Sequence, residues 1–306
     1  LRYLEPVAPH IDACLAAGSY QNGNLMFDAR VLYSPATRSG GSNIPTHHPT
    51  GLSDLTSHEL PVPADCLLFG LYEMLEQAVV FEMMDAVVDI DLNAASDKLL
   101  PVLQNGAAVV VLKPNIEELQ VLPPVMVFFP LKDKSAAQSA LEDLSGSMKA
   151  RGRQLEFNET KHADAIIRHA KVPIGMGLSL DAGYTFVGDD LLVMASDISA
   201  LKAAIDVSLD KQPSLMKDER YTSTLTPIAE GAEGRIFVDI VSTAEIIRQA
   251  GTLYAWRAKF AGEREAEQIA TALHQNVFIL EAWRYMGMTF ESEDGKVSVK
   301  TVLSSQ

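Results

Sequence analysis

Apolar residues in this chain fall into short runs of strand length punctuated by turn residues, with a few longer stretches at helical spacing. Residues 10–34 hold two apolar segments around Gln21-Asn22-Gly23-Asn24. Asn-Gly adopts the positive φ angles that a tight hairpin demands, so strand, turn, strand is expected, the second strand running over Leu25 to Tyr33. Residues 35–60 lose all apolar period and carry Gly40-Gly41, Pro45, Pro49 and Gly51, the signature of a linker or mobile loop. Order resumes with an apolar strand at Cys66 to Tyr72. Residues 73–88 then place Met74, Leu75, Ala78, Phe81 and Met84 near one helical face.

A second short helix takes Leu99, Leu100 and Leu103 and stops at Gly106. Ala107 to Leu112 and Val125 to Pro130 read as strands. Asp133 is placed to cap a helix over 134–148 that buries Ala137, Ala140, Leu141, Leu144 and Met148, since its carboxylate can accept a free amide of the first turn. Strands are expected around 154–159 and 165–170, then a Gly-rich stretch at 173–177. A hairpin follows at Tyr184–Val187 and Leu191–Met194 around Gly188-Asp189-Asp190, and Asp197 caps a helix over 198–207. The last third repeats the grammar. It holds a strand at 235–240, a helix capped by Ser242 or Thr243 and carrying Ile246 and Ile247, and a helix at 264–274. One or two strands follow in 277–291, then the turn Glu293-Asp294-Gly295-Lys296 and a closing strand at 297–303.

This alternation predicts an α+β fold: a mixed, largely antiparallel sheet with helices packed on one side. The first and last hairpins share an acidic or amide residue before Gly and similar ends, which suggests a duplicated module. The expected organisation is a tail hairpin of a preceding or swapped module (1–34), a linker or mobile loop (35–59), a main α+β module (60–225) and a second, partial module completing the sheet (226–306).

Composition narrows the function. With 306 residues, 47% hydrophobic and 21% charged, the chain is globular. Forty acidic against 25 basic residues give a formal charge of −15, which repels phosphate backbones and argues against nucleic-acid binding. No apolar run approaches the roughly 18–20 residues that span a bilayer, so no membrane insertion is expected of the visible chain. The opening Leu1-Arg2-Tyr3-Leu4-Glu5 is neither a signal peptide nor an initiator Met, so a processed or truncated chain is expected.

Candidate chemistry is thin. Cys14 and Cys66 lack metal-ligand spacing; they read either as a disulfide pair of an exported protein or as two buried thiols. Asp89, Asp91, Asn93 and Asp97 resemble the start of a calcium loop, but Ala94 and Leu100 stand where Gly and Glu are required, and a helix-capping turn fits better. His47 and His48 are adjacent in a polar loop with no third ligand, and His162 and His169 are no better spaced. Gly175-Met176-Gly177 lacks the strand-to-helix context of a phosphate loop. Ser179, Ser196 and Ser199 offer no nucleophile elbow. The eleven methionines, densest at Met83-Met84 and Met286/Met288, read as core filler. No catalytic residue, metal site or cofactor is expected.

The order of several segments resembles a known family. These are Leu60-Pro61-Val62-Pro63-Ala64-Asp65, Leu99-Leu100-Pro101-Val102-Leu103 before Gly106-Ala107-Ala108-Val109, and Val127-Phe128-Phe129 with Lys132-Asp133 and Ala136-Ala137. Tyr184 to Ile205 and Pro213-Ser214-Leu215 with Arg220-Tyr221 continue the series. Together they are similar to the bacterial domain-of-unknown-function family thirty-three fifty-two, over roughly residues 60 to 302. The resemblance implies an exported or membrane-anchored envelope protein, periplasmic or at the cell surface, with no catalytic residues to carry over. Three functions follow as expectations: a non-catalytic envelope protein that binds a protein partner or self-assembles, a carrier of a hydrophobic small ligand, and a hydrolase built from groups that meet only in space.

Overall fold

The computed structural model folds into two compact units, Leu1–His48 with Glu219–Gln306, and Pro49–Asp218. The structure describes residues 11–21, 23–33, 60–72, 98–114, 123–145, 149–150, 153–175, 178–229, 232–249, 282–293 and 296–305. The expected linker at 35–59 and the expected helices at 73–88 and 264–274 lie outside the described residues.

Fourteen strands are described. They are β1 (Ile11–Gln21), β2 (Asn24–Tyr33), β3 (Cys66–Tyr72), β4 (Ala107–Leu112), β5 (Val125–Pro130), β6 (Lys149–Ala150), β7 (Arg153–Gln154), β8 (Asn158–His162), β9 (Ala165–Gly175), β10 (Leu178–Val187), β11 (Leu191–Ala195), β12 (Gly234–Asp239), β13 (Tyr285–Glu293) and β14 (Lys296–Ser304). The helices are α1 (Lys134–Ser145), α2 (Ile198–Ser208) and α3 (Glu219–Leu225), with a further helical stretch at residues 240–249.

In the Pro49–Asp218 unit the strands run β3-β4-β5-β11-β10-β9-β8, every neighbour antiparallel, and β6 pairs with β7 separately. Successive residues point to opposite faces, and both faces of the inner strands are apolar. On β5, Met126 and Phe128 lie on one face, Val127 and Phe129 on the other, and all four are buried. Full burial of each such side chain stabilises by about 1.5–3 kcal/mol, so both faces require cover. Helix α1 supplies it on the Val127 face, where Ala137 and Leu141 join Phe129, Ala170, Tyr184 and Leu192 in one core. Helix α2 lies on the opposite face. The Arg168–Glu142 pair (3.1 Å) ties α1 to one side of β9, and the His162–Asp206 pair (2.9 Å) ties α2 to the other side of the β8–β9 ladder. One-sided helix packing, expected from the sequence, does not hold in this unit. A sheet apolar on both faces cannot leave one of them to water.

Both predicted caps here form. The Asp133 carboxylate accepts from the Ala136 amide at 3.0 Å, and Asp197 accepts from the Ser199 amide at 2.7 Å. The strand expected at 154–159 instead begins at Asn158 and ends at His162. A two-residue turn at Ala163 (φ 50°) and Asp164 reverses the chain there, and β9 runs on to Gly175.

In the other unit the order is β1-β2-β14-β13-β12, again antiparallel throughout. Helix α3 packs on one face. Tyr221 meets the Phe237 ring edge-on at 5.7 Å, Phe237 stacks on Tyr285 at 5.9 Å, and the Thr289 hydroxyl donates to the Ile228 carbonyl at 3.0 Å. The helical stretch at 240–249 is capped by Asp239, not by Ser242 or Thr243. Asp239 accepts from the Ser242 amide at 2.9 Å and from its hydroxyl at 2.8 Å. Because the helix already starts at residue 240, the preceding residue takes the capping role.

Candidate functional site

Among the described residues, reactive side-chain types gather on β8, β9 and β10. Register pairs Thr160 with Ile167, His162 with Ala165, His169 with Gly183, and Lys171 with Asp181, which puts Thr160, His162, His169 and Asp181 on one face. His169 Nδ1 stands 2.6 Å from Asp181 Oδ1, and its Nε2 stands 3.1 Å from Thr160 Oγ1. His162 Nε2 lies 2.9 Å from Asp206 Oδ1 on α2. The opposite face carries Arg168, which donates to Glu159 at 2.9 Å and pairs with Glu142 at 3.1 Å. Burial raises the Tyr184 phenol above its ordinary value, and the neighbouring Arg168 offsets part of that rise. Arg168 is itself held higher, chiefly by the Tyr184 hydroxyl. That hydroxyl has no hydrogen bond of normal geometry, so the contact is a loose one.

Thr160, His169 and Asp181 stand in the order of a nucleophile, its base and the base's orienting acid. Acyl transfer also needs donors converging where the oxyanion forms. β9 lies between β8 and β10 and spends its amides on both ladders. Amides of β8 that β9 does not use point outward in the plane of the sheet, at alternate residues, and do not converge on the Thr160 hydroxyl. Among the described residues no group of three or more His, Cys, Asp or Glu could hold a metal. The contacts of this row join β8 to β9, β9 to β10 and β8 to α2.

The other residues singled out in the sequence are scattered. Ser196 accepts from the Val125 amide at 2.9 Å, and Ser199 donates to Asp197 in the α2 cap. Gly175 ends β9 and Leu178 opens β10, its antiparallel neighbour, and Met176 and Gly177 lie outside the described residues. Cys66 is buried at the start of β3; the side chain of Cys14 lies outside the described residues. So do Asp89, Asp91, Asn93, Asp97, His47, His48, Met83 and Met84.

The N-terminal hairpin differs from everything else described. The side chains of residues 15–20 on β1 are all exposed, Leu15 at 61% and Tyr20 at 66%; on β2, Phe27 stands at 41% and Leu32 at 36%. Register puts Leu15 and Leu32 on one face and Tyr20 and Phe27 on the other, so large apolar groups are exposed on both faces. Phe27 lies opposite Gly18, where even a Cβ would touch its ring at 3.4 Å. Among the described residues β1 has β2 as its one neighbour, which leaves alternate backbone amides and carbonyls along eleven residues directed outward. Asp12 is the one charged residue in that strand. By contrast the outer strand β8 is five residues long and carries Glu159, Lys161 and His162, the usual protection of an edge.

Among the residues whose side chains are described, the face of this sheet that carries Tyr20 and Phe27 has no charged residue. It continues through Leu303, Met286, Met288, Phe290, Ile236 and Val238, all partly buried. The charges Asp28, Arg30, Lys300, Glu291, Arg235 and Asp239 all fall on the α3 face. The sequence showed the hairpin but not its exposure. The available signal was that β1 carries small and apolar residues at both odd and even positions.

These features define an α+β protein of mostly antiparallel sheet whose conspicuous surface is an apolar edge hairpin. Among the described residues no helix is long and apolar enough to cross a membrane. The chain belongs to the family described as Protein of unknown function (DUF3352), which matches residues 95–276. No curated protein matches it. Among solved structures it is similar to one titled "Structure of crystal form IV of TP0453", at 7% identity over 81% of this chain and 93% of that chain, with a TM-score of 0.38.

Proposed function

We propose that this is a non-catalytic cell-envelope protein, periplasmic or at the cell surface, that binds another protein or builds an assembly through the β1–β2 hairpin. The observation that carries the reading is the undefended edge of β1 together with exposed Leu15, Tyr20, Phe27 and Leu32. Unpaired strand edges recruit further strands, and exposed apolar clusters mark contact sites. The envelope placement rests on the family resemblance. In cells that make the protein, the chain should fractionate with the envelope and migrate on native gels above the mass of a single copy. The variant Leu15→Lys/Tyr20→Lys should migrate as a single copy. Equal migration of both, or recovery from the cytosol, would contradict the proposal.

A second reading, a carrier of a hydrophobic small ligand, is favoured by the charge-free sheet face with Met286, Met288 and Phe290. Apolar ligands seek such linings. Organic extraction of natively purified protein followed by mass spectrometry should then release a stoichiometric lipid-like compound, and a blank extract counts against it.

We also infer that the two units are copies of one module. The order β12-β13-β14-β2-β1 parallels β3-β4-β5-β11-β10, and the fourth and fifth strands of each set form a hairpin, β1–β2 or β10–β11.

A further inference from the structure

We propose that the occupant of the β1 edge is β1 of a second copy of this chain, paired antiparallel across a two-fold axis through the central residue of the strand, Ala16. This rests on the reading of the hairpin as a binding element. An antiparallel pair of identical strands is self-complementary, and the register that matches all eleven residues sets Ala16 against Ala16 of the second copy. Leu15 then stands opposite Ala17, a bulky residue against a small one. Asp12, the strand's one charge, stands opposite Tyr20, and no like charges oppose each other. Such a ladder is about 37 Å long at about 3.4 Å per residue.

Two-residue hairpin geometry supports the same pairing. Gln21 and Asn24 flank the turn as the last registered pair of β1 and β2. In a two-residue hairpin the pair flanking the turn is hydrogen-bonded, and bonded and non-bonded pairs alternate from there. Tyr20, Gly18 and Ala16 are therefore the residues whose amides and carbonyls point outward, ready to bond a facing strand with the same even-numbered set. The net charge of −15 per copy opposes association at long range, so the contact must come from the neutral strand itself, and its affinity should be modest.

Sedimentation velocity of the whole chain from about 1 to 300 µM tests this, spanning the affinities expected of a small interface. The expected result is a reversible monomer–dimer equilibrium. Ala16→Lys and Ala16→Glu, each alone, should stay monomeric because like charges meet on the axis. An equimolar mixture of the two should recover the dimer. A second measurement uses the unaltered chain, so it does not depend on the variants folding: a peptide of sequence Ile11–Gln21 should shift the dimer toward monomer. A wild-type chain that is monomeric at every concentration overturns self-pairing, while the native-gel behaviour of Leu15→Lys/Tyr20→Lys decides separately whether the hairpin binds anything. Dimers that persist in both Ala16 variants, or that ignore the peptide, place the contact elsewhere and also overturn it.

Discussion

At Gly183 an added Cβ would stand 2.3 Å from the Arg168 carbonyl oxygen and 2.8 Å from His169 Cβ. The nearest obstacle is backbone, which cannot swing aside, so Gly183→Ala should destabilise the protein by about 2–3 kcal/mol, read as a lowered urea midpoint. A wild-type midpoint would show that β9 and β10 separate more readily than their packing implies. The same stretch makes a prediction about pH. Burial raises the phenols of Tyr184 and Tyr72, so the fold favours their protonated forms. That contribution is fully present below the unfolded phenol value, about pH 10, and is lost as pH rises through the higher folded values. The melting temperature should therefore fall above about pH 10, and fall less in Tyr184→Phe. An identical alkaline decline in the variant would contradict the assignment for Tyr184. None of this was visible in the sequence. His169 and Asp181 are twelve residues apart, and only the β9–β10 register brings them within 2.6 Å.

Elements were more legible than residues where local chemistry governs them. Asp133 and Asp197 cap helices as their positions require, and the pairs Gln21–Asn24 and Glu293–Lys296 close the two expected hairpins. Elements governed by tertiary context were displaced or passed over. β8 is polar along its length and gives no alternation to follow, and α3 is a seven-residue helix with too few turns to leave a period. The cap at Asp239 was missed because Ser242 is also a capping residue. The structure makes Ser242 a donor to Asp239 instead. Asp239 is buried at 3% exposure and also lies 3.7 Å from Arg220, so Asp239→Ala should cost about 2 kcal/mol of stability. Ser242→Ala, which keeps the amide bond to the carboxylate, should cost less. Circular dichroism melts compare the two, and equal losses would mean that the hydroxyl carries the cap.

For the whole molecule, the antiparallel α+β class and the family were both readable from segment order, because hairpin turns and strand runs survive without exact side-chain matches. Sidedness was not. One-sided helix packing was inferred from the alternation of strands and helices, whereas α1 and α2 cover opposite faces of a sheet whose inner strands are apolar on both. The resemblance between the first and last hairpins also takes a different form in space, since β2 pairs with β14 and the two hairpins lie side by side in one sheet. Among the described residues the outer edge of β1 has no partner strand after that pairing, and the proposed function stands on it. Hydrogen–deuterium exchange of the intact chain at low and high concentration reads that edge directly. Slower exchange at the Ala16, Gly18 and Tyr20 amides with rising concentration, while residues 158–162 on β8 stay unchanged, is the expected result. Concentration-independent exchange along β1, with or without protein from the native envelope added, would contradict a binding role for the hairpin.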